Sequence, residues 1–480
     1  MKNEKMIVWF RNDLRIHDHA PLCFAAEKSV SILPVYIFDE RQFGSSPFGF
    51  TRAGSHRLRF LRESVMALRE KLRSIGSELI IRTGNPEHLL PQLAAEFGAT
   101  RILYHEEAAF EERGVEKLLQ ENLLKKHIAW DTWWAATLTP KEDLPFPVMH
   151  LPQVFTRFRT QVEKHIVFPE PLPAPNHLNT PEINDCGEWP EEYSCNEFPD
   201  NRSAFPFKGG EDEALKRLEY YFWDGDHLRN YEDTRNGLMG TDFSSKFSPW
   251  LALGCISPRY IHYETKRYEV KRIRNKSTYW LIFELLWRDF FRFTAIKSGN
   301  KLFLLHGITM KDASDHFDQQ LFDAWTKGET GFPFIDACMR ELKLTGYISN
   351  RARQNAASFF VHDLGLDWRA GAAWFESQLI DYDPCSNWGN WAYIAGVGND
   401  PRSNRYFNIP GQSERYDHNG DYIKLWCPEL QNIPARYLHH FHEYSSEFLC
   451  NLGITINADY SAPVITPAYH NKNKITPQHS

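Results

Sequence analysis

Short apolar runs, separated by stretches of helical period, fill the first 135 residues. The runs are Met6–Phe10, Ser31–Phe38, Glu78–Arg82, Arg101–His105 and Ile128–Trp134. Runs of this length bounded by polar residues predict strands. Between the second and third, Leu58, Leu61, Val65, Leu68, Leu72 and Ile75 recur in steps of three and four. That is the spacing of an amphipathic helix packed on something flat. Asn85-Pro86 offers an N-cap and an N1 proline for a helix ending near Gly98, and a charged helix runs to about Lys126. Strands and helices in alternation predict a doubly wound parallel sheet covered on both faces, over residues 1–140. No G-x-G-x-x-G follows any strand. A dinucleotide held by that fingerprint is therefore not expected, despite the Rossmann-like layout.

The pattern then changes twice. Eleven of the 28 prolines lie between Pro145 and Pro206. That density suppresses regular structure, so 141–205 is expected to be a connecting segment over the surface. From Gly209 the period is helical, with helices expected over Glu211–Trp223, Ser277–Lys297 and Ile348–Leu364. An α-helical second domain is assigned to 206–445, and the polar 446–480 to a loosely packed tail. The fold class is thus α/β followed by all-α.

Composition sharpens this. The chain has 480 residues and 42% hydrophobic residues, enough for two buried cores. Its net charge of −7 excludes a uniformly basic nucleic-acid binder, so a polyanion must meet a local basic patch. The start shows no signal-peptide pattern. The most apolar stretch, Trp280–Phe293, carries Glu284, Arg288, Asp289 and Arg292, which rules it out as a membrane span. No pair among the eight cysteines has zinc or iron–sulfur spacing, so free thiols and no metal are expected. The thiols suit a reducing cytosol, and the cytoplasm if the source is bacterial.

Four polar, aromatic segments of the helical half could carry chemistry. Tyr231–Arg235 and Thr241–Ser248 place hydroxyls and a lysine before a helix starting near Pro249, where backbone N–H groups can hold a phosphate. An ordinary helix cap looks the same. Glu284, Trp287, Arg288 and Phe291 share one helix face and could recognise a planar ring with hydrogen-bonding edges. A core stripe with a Glu284–Arg288 pair is the alternative. Asn350–Asn355 packs two arginines and three amides into six residues. Asp367–Arg369 with Asp381–Tyr393 mixes carboxylates, amides and tryptophans that make poor core material without a cofactor to meet them.

These motifs, in order, resemble the cryptochrome/photolyase family over nearly the whole chain. Val8–Arg15, Phe247–Gly254, Leu286–Phe291, Gly328–Pro333 and Ser386–Trp391 carry the resemblance. Thr137–Pro140, Asp143–Phe146 and Phe155–Arg159 resemble the DASH cryptochromes in particular. The resemblance implies FAD inside the helical domain. Tyr231, Ser244, Ser245 and Ser248 match positions around its phosphates and ribityl chain. Arg353 and Asp381 match an ion pair beside the isoalloxazine, Asp383 an acid near the adenine or ring edge, and Asn387 the residue facing flavin N5. Glu284, Arg288 and Asn350 also match cofactor contacts. An amide at 387 is the pattern of repair enzymes.

On the substrate side, the resemblance gives Glu284, Trp287, Asn350 and Asn387 catalytic roles on a cyclobutane pyrimidine dimer. Tyr393 and Gln354 stand where duplex-acting photolyases carry tryptophan and methionine. Both weaken the apolar grip on a flipped dimer, so single-stranded DNA is the expected substrate. RNA and duplex DNA are expected to bind weakly, and the chain to be a monomer. Arg235, Arg288, Arg351 and Arg405, with Trp287, Gln354 and Tyr393, match DNA contacts around the cavity mouth. The basic run Arg259, Lys266, Arg267, Lys271, Arg272 and Arg274 reads instead as a solvated helix face. The implied antenna is 5,10-methenyltetrahydrofolate, with Glu111 and Glu112 as candidate contacts. Trp391 and Trp368 match the first two members of an electron-transfer series, but Asp315 occupies the outer position. The reading is a light-driven lyase. The rival is a blue-light sensor that binds FAD and nucleic acid without repair.

Overall fold

The computed structural model describes residues 4–193, 195, 197–400 and 405–465. Five strands form one parallel sheet: β1 Glu4–Phe10, β2 Ser29–Phe38, β3 Ile80–Thr83, β4 Arg101–His105 and β5 Ala129–Trp133, in the order β3-β2-β1-β4-β5. Each predicted apolar run is a strand. Helices α1 Ala20–Lys28, α2 Ser55–Ser74, α3 Pro86–Phe97 and α4 Phe110–Lys125 cover its faces. Pro86 does open α3 and Gly98 closes it with φ 72°, but the Asn85 side chain makes no capping bond.

At the end of β1 the chain turns through a buried network. Asp13 Oδ2 accepts from His19 Nε2 at 2.9 Å and His105 Nδ1 at 2.7 Å. His19 Nδ1 in turn accepts from Leu22 N, so its proton sits on Nε2 and the three side chains are hydrogen-bond partners. Burial, with His19 and Arg15 nearby, lowers the His105 pKa to about 4.

The proline-rich stretch is more ordered than its composition suggests. It contains α5, Phe155–His165, whose Phe155, Phe158 and Val162 are buried. Those residues follow a 3–4 spacing that proline content alone conceals. Farther on, Trp189 packs edge-on against Phe38 of β2.

The helical domain comprises α6 Glu211–Glu219, α7 Tyr231–Thr234, α8 Ser248–Ala252, α9 Pro258–Lys271, α10 Lys276–Ser298, α11 Gln319–Lys327, α12 Pro333–Thr345, α13 Asn350–Ser358, α14 Trp368–Gln378, α15 Pro384–Ile394 and α16 Ile409–Tyr416. Single π turns, Tyr220–Asp224 and Phe359–Asp363, extend α6 and α13. The start of the expected tail is packed as well. Ser446–Asn451 is helical, and Tyr460 is buried with its hydroxyl on Asp336.

The two halves are joined through ions. Arg259 pairs with buried Asp18 at 2.6 Å, so it is not part of a solvated face. Asp289 of α10 accepts from Leu138 N at 2.9 Å and Thr139 N at 2.7 Å. Among the described residues, no helix is long and apolar enough to cross a membrane.

Candidate functional site

A cavity opens between α13, α14 and α15. Ser349 caps α13 by accepting from Ala352 N at 3.2 Å. Starting the helix there puts Asn350, Arg353, Gln354 and Ala357 on the face that lines the cavity. Asp383 caps α15, accepting from Ser386 N at 2.7 Å, with Pro384 at the first position. That start brings Asn387 and Trp391, one turn apart, onto the opposite wall.

Asp381 is the hub. Its Oδ2 accepts from Arg353 at 2.8 Å and from Ser248 Oγ at 2.6 Å, while its Oδ1 is buried without a partner. Burial alone would lower the Arg353 pKa, and the Asp381 carboxylate more than offsets it. Asp383 is held by Arg292, a residue the sequence reading did not single out. Burial would raise this carboxyl; Arg292 and then Arg288 outweigh it and keep it ionised. Asn387 Nδ2 donates to Ala372 O at 2.9 Å, which fixes the amide's orientation.

Tyr231, Ser244 and Ser245 lie outside the walls of this cavity, whereas Ser248 joins it through Asp381. The 241–245 turn rests on Arg217, which donates to the carbonyls of Thr241 at 2.7 Å, Ser244 at 3.0 Å and Ser245 at 3.1 Å. Three carbonyls on one guanidinium fix the turn's shape. Arg217 sits on α6, 24 residues upstream of Thr241, so spacing gave no hint of it. Lys246 follows in the left-handed region at φ 58°. Burial, with Arg217 close by, pushes its ammonium down to about 8. Burial pushes the Tyr231 phenol upward, and Glu284 adds to that.

Beyond the cavity lining, Glu284 pairs with Arg235, whose guanidinium lies 4.5 Å from the Trp280 ring. The expected Glu284–Arg288 alternative is not formed. Trp287 stacks on Phe155 at 3.8 Å and meets Tyr393 edge-on at 6.0 Å. Arg351 donates to Gln354 at 2.8 Å and Asn236 at 3.1 Å and lies 4.6 Å from the Tyr416 ring. Arg405 pairs with Asp400 at 3.3 Å and lies 5.6 Å from the Tyr393 ring. Burial lowers the Arg351 pKa, and Arg235, Arg415 and Arg405 lower it further. Mutual repulsion of this kind marks a rim short of anions. Asn236, Trp280, Arg415 and Tyr416 belong to the rim and were missed.

Arg288 does not. Its guanidinium donates to the carbonyls of Ala136 and Leu251, at the seam between the halves. These bonds tie Arg288 to the seam, and it is not among the residues that line the cavity. Helical spacing gives a face, but a long side chain on that face still chooses among neighbours.

Trp391 is buried against Phe375, Phe360 and Trp325, with ring centroids 5.1, 5.7 and 6.2 Å away. Trp368 is buried and donates to Leu305 O at 2.9 Å. A second cavity lies at the carboxyl ends of β1 and β2, with Trp9, Arg11, Tyr36, Arg41, Glu111 and Glu112 among its lining. Open parallel sheets bind ligands at such edges.

Two family models match the chain: "DNA photolyase" over residues 6–176 and "FAD binding domain of DNA photolyase" over 280–477. A Synechocystis protein named Cryptochrome DASH is 49% identical over 471 residues, 96% of this chain and 95% of its own. The chain belongs to the cryptochrome/photolyase family, among the DASH cryptochromes. The solved Synechocystis cryptochrome superposes with a TM-score of 0.95, at 48% identity and 98% coverage of both chains. A bacterial class III photolyase from Agrobacterium tumefaciens gives 0.86 at 28% identity, covering 98% of this chain and 96% of its own. The helical half is therefore an FAD-binding domain, and the cavity fits that role. Its wall holds a buried carboxylate oxygen with no partner, an ion pair and an oriented amide, which are groups that a ribityl chain and a flavin edge can satisfy.

Proposed function

We propose that this protein is a blue-light-driven lyase that splits cyclobutane pyrimidine dimers and prefers them in single-stranded DNA. The observation that carries the reading is the Glu284–Arg235 pair with the Trp287 ring on α10, together with a cavity whose wall presents Asn387. Bound FAD supplies light absorption and the electron that opens the cyclobutane ring. The remaining roles belong to the chain. Asp381 and Arg353 orient the isoalloxazine, Ser248 steadies Asp381, and Asn387 presents a neutral amide where a proton is gained or lost. Tyr231 and the Arg217-supported turn with Ser244 and Ser245 face the phosphate side.

Glu284 hydrogen-bonds the dimer's carbonyl edge, and Asn350 holds it from α13. Trp287 gives one apolar wall. Tyr393, buried with its hydroxyl on Asn399 O at 3.2 Å, gives a weaker second wall than an indole. A duplex must lose stacking before its dimer can enter, and these walls return less of that cost. Arg235, Arg351 and Arg405 meet the backbone phosphates. Trp391 and Trp368 feed an electron toward the flavin. The crevice at the ends of β1 and β2, with Glu111 and Glu112, takes a folate antenna. Dark binding tests the substrate. A thymine-dimer 10-mer should bind more tightly than the undamaged strand, and more tightly single-stranded than in duplex. Equal affinity for damaged and undamaged strands refutes it.

A further inference from the structure

Trp368 cannot be the end of an electron path. It is 1% exposed, so a cationic hole there is cut off from any reductant in solution and is poorly solvated. The segment that could lead outward carries no usable ring. Ser314 Oγ donates to Gly365 O at 2.8 Å and Asp367 N to His316 O at 2.8 Å. Position 315 thus lies beside the start of α14, yet it holds an exposed aspartate. A carboxylate has no oxidation level an indole cation can reach.

One other ring is in contact. The Trp388 and Trp368 centroids are 5.7 Å apart, edge to face. Trp388 is half-buried, one residue from a cavity-lining amide and two from exposed Asn390. We propose that Trp388 is the outer member of the series, taking the place that Asp315 leaves open. This inference rests on the reading that Trp391 and Trp368 supply electrons to the flavin. Trp391 packs against α14 at Gly371, where an added Cβ would lie 2.3 Å from its Cη2. Gly371 is one turn from Trp368 on the same helix, so both indoles belong to the α14 packing layer.

The electron lost by Trp391 is replaced from Trp368, and that of Trp368 from Trp388. The Trp388 radical is then reduced by a soluble thiol, and two such thiyl equivalents end as one disulfide. The hole stops at Trp388 for an electrostatic reason. Trp388 Nε1 donates to Tyr382 Oη at 3.3 Å, so the phenol is the next ring in line. The Arg57 guanidinium already lies 4.4 Å from the Tyr382 ring centroid, which disfavours a second positive charge there. Trp325 is a dead end, fully buried with its Nε1 on Ala356 O at 3.3 Å. Trp374 packs on Phe50 and Phe322, rings that offer no oxidisable partner.

The test uses the FAD-loaded wild type and two variants, Trp388→Phe and Trp374→Phe. After brief blue illumination in air, peptide mass spectrometry should find oxidised indole concentrated at Trp388. Transient electron paramagnetic resonance should show a spin pair whose separation shortens in Trp388→Phe and is unchanged in Trp374→Phe. With thiol present, the yield of lasting photoreduction should fall at least tenfold in Trp388→Phe only. Oxidation and spin density centred on Trp374 or Trp368 in the wild type overturn this inference alone. No light-induced indole radical anywhere removes the electron-feed reading and this inference with it. The wild-type measurements decide even if Trp388→Phe folds poorly.

Discussion

Gly371→Ala probes how tightly the flavin cavity is built. Gly371 is the fourth residue of α14, within the helix, where alanine ordinarily gains up to about 1 kcal/mol over glycine. Here the added methyl would lie 2.3 Å from Trp391 Cη2, 2.5 Å from its Cζ3 and 3.1 Å from Phe360 Cδ1. Carbon atoms need roughly 3.5 Å or more. The Trp391 ring must therefore move by about 1 Å. It cannot do so freely, because Phe375, Phe360 and Trp325 enclose it. Overpacking of this kind costs about 1–3 kcal/mol. Set against the helical gain, the net loss is roughly 0–2 kcal/mol. The sharper consequence is local, since Trp391 lines the cavity and its displaced edge takes space from it. Chemical denaturation of apo-protein gives the first quantity, and FAD titration by fluorescence quenching the second. The variant should lose about tenfold or more in FAD affinity with only a small loss of stability. A variant more stable than wild type with unchanged FAD affinity would show that the indole has room the structure denies it.

Other outcomes follow from the rim and the seam. Arg235→Met should weaken single-strand binding and reduce the slope of log affinity against log salt by about 0.7, as one lost phosphate contact requires. Arg288→Met should leave that slope unchanged and lower stability by about 1–3 kcal/mol, because the Ala136 and Leu251 carbonyls lose their donor. His105, with its pKa lowered to about 4 in the fold against about 6.5 unfolded, binds fewer protons folded than unfolded between those values. Its contribution to stability is therefore present above pH 6.5 and is lost as pH falls toward 4, by up to about 3 kcal/mol. His105→Gln should flatten the denaturation free energy across pH 4.5–6.5 by about one proton. An unchanged slope contradicts a buried neutral imidazole.

Much of the architecture was readable because it rests on local rules. Every β run declared itself by length and flanks, and α2 by the 3–4 steps from Leu58 to Ile75. Asn350, Arg353, Gln354, Asp381, Asp383 and Asn387 were selected as charged and amide residues in apolar company, and the fold does gather them around one cavity. What stayed hidden depends on partners far apart in sequence. Arg292 reaches Asp383 across 91 positions, and Arg351 reaches Asn236 across 115. The partners of Arg288 stayed hidden for the same reason. The helical period placed it beside Glu284, but the carbonyls that claim it come from Ala136 and Leu251. The proline-rich segment misled through composition, since Phe155 not only lies in a helix but backs Trp287 at the proposed substrate wall.

The central claim is light-driven repair, and it has a direct measurement. Fully reduced, FAD-loaded protein is mixed with a thymine-dimer oligonucleotide, single-stranded in one tube and annealed in the other. After blue illumination, chromatography counts the dimers restored to thymines. The account predicts efficient restoration in the single strand, markedly less in the duplex, and none in the dark. Absence of repair in both strands under blue light, with flavin reduced and bound, would contradict it and leave the light-sensor reading in its place.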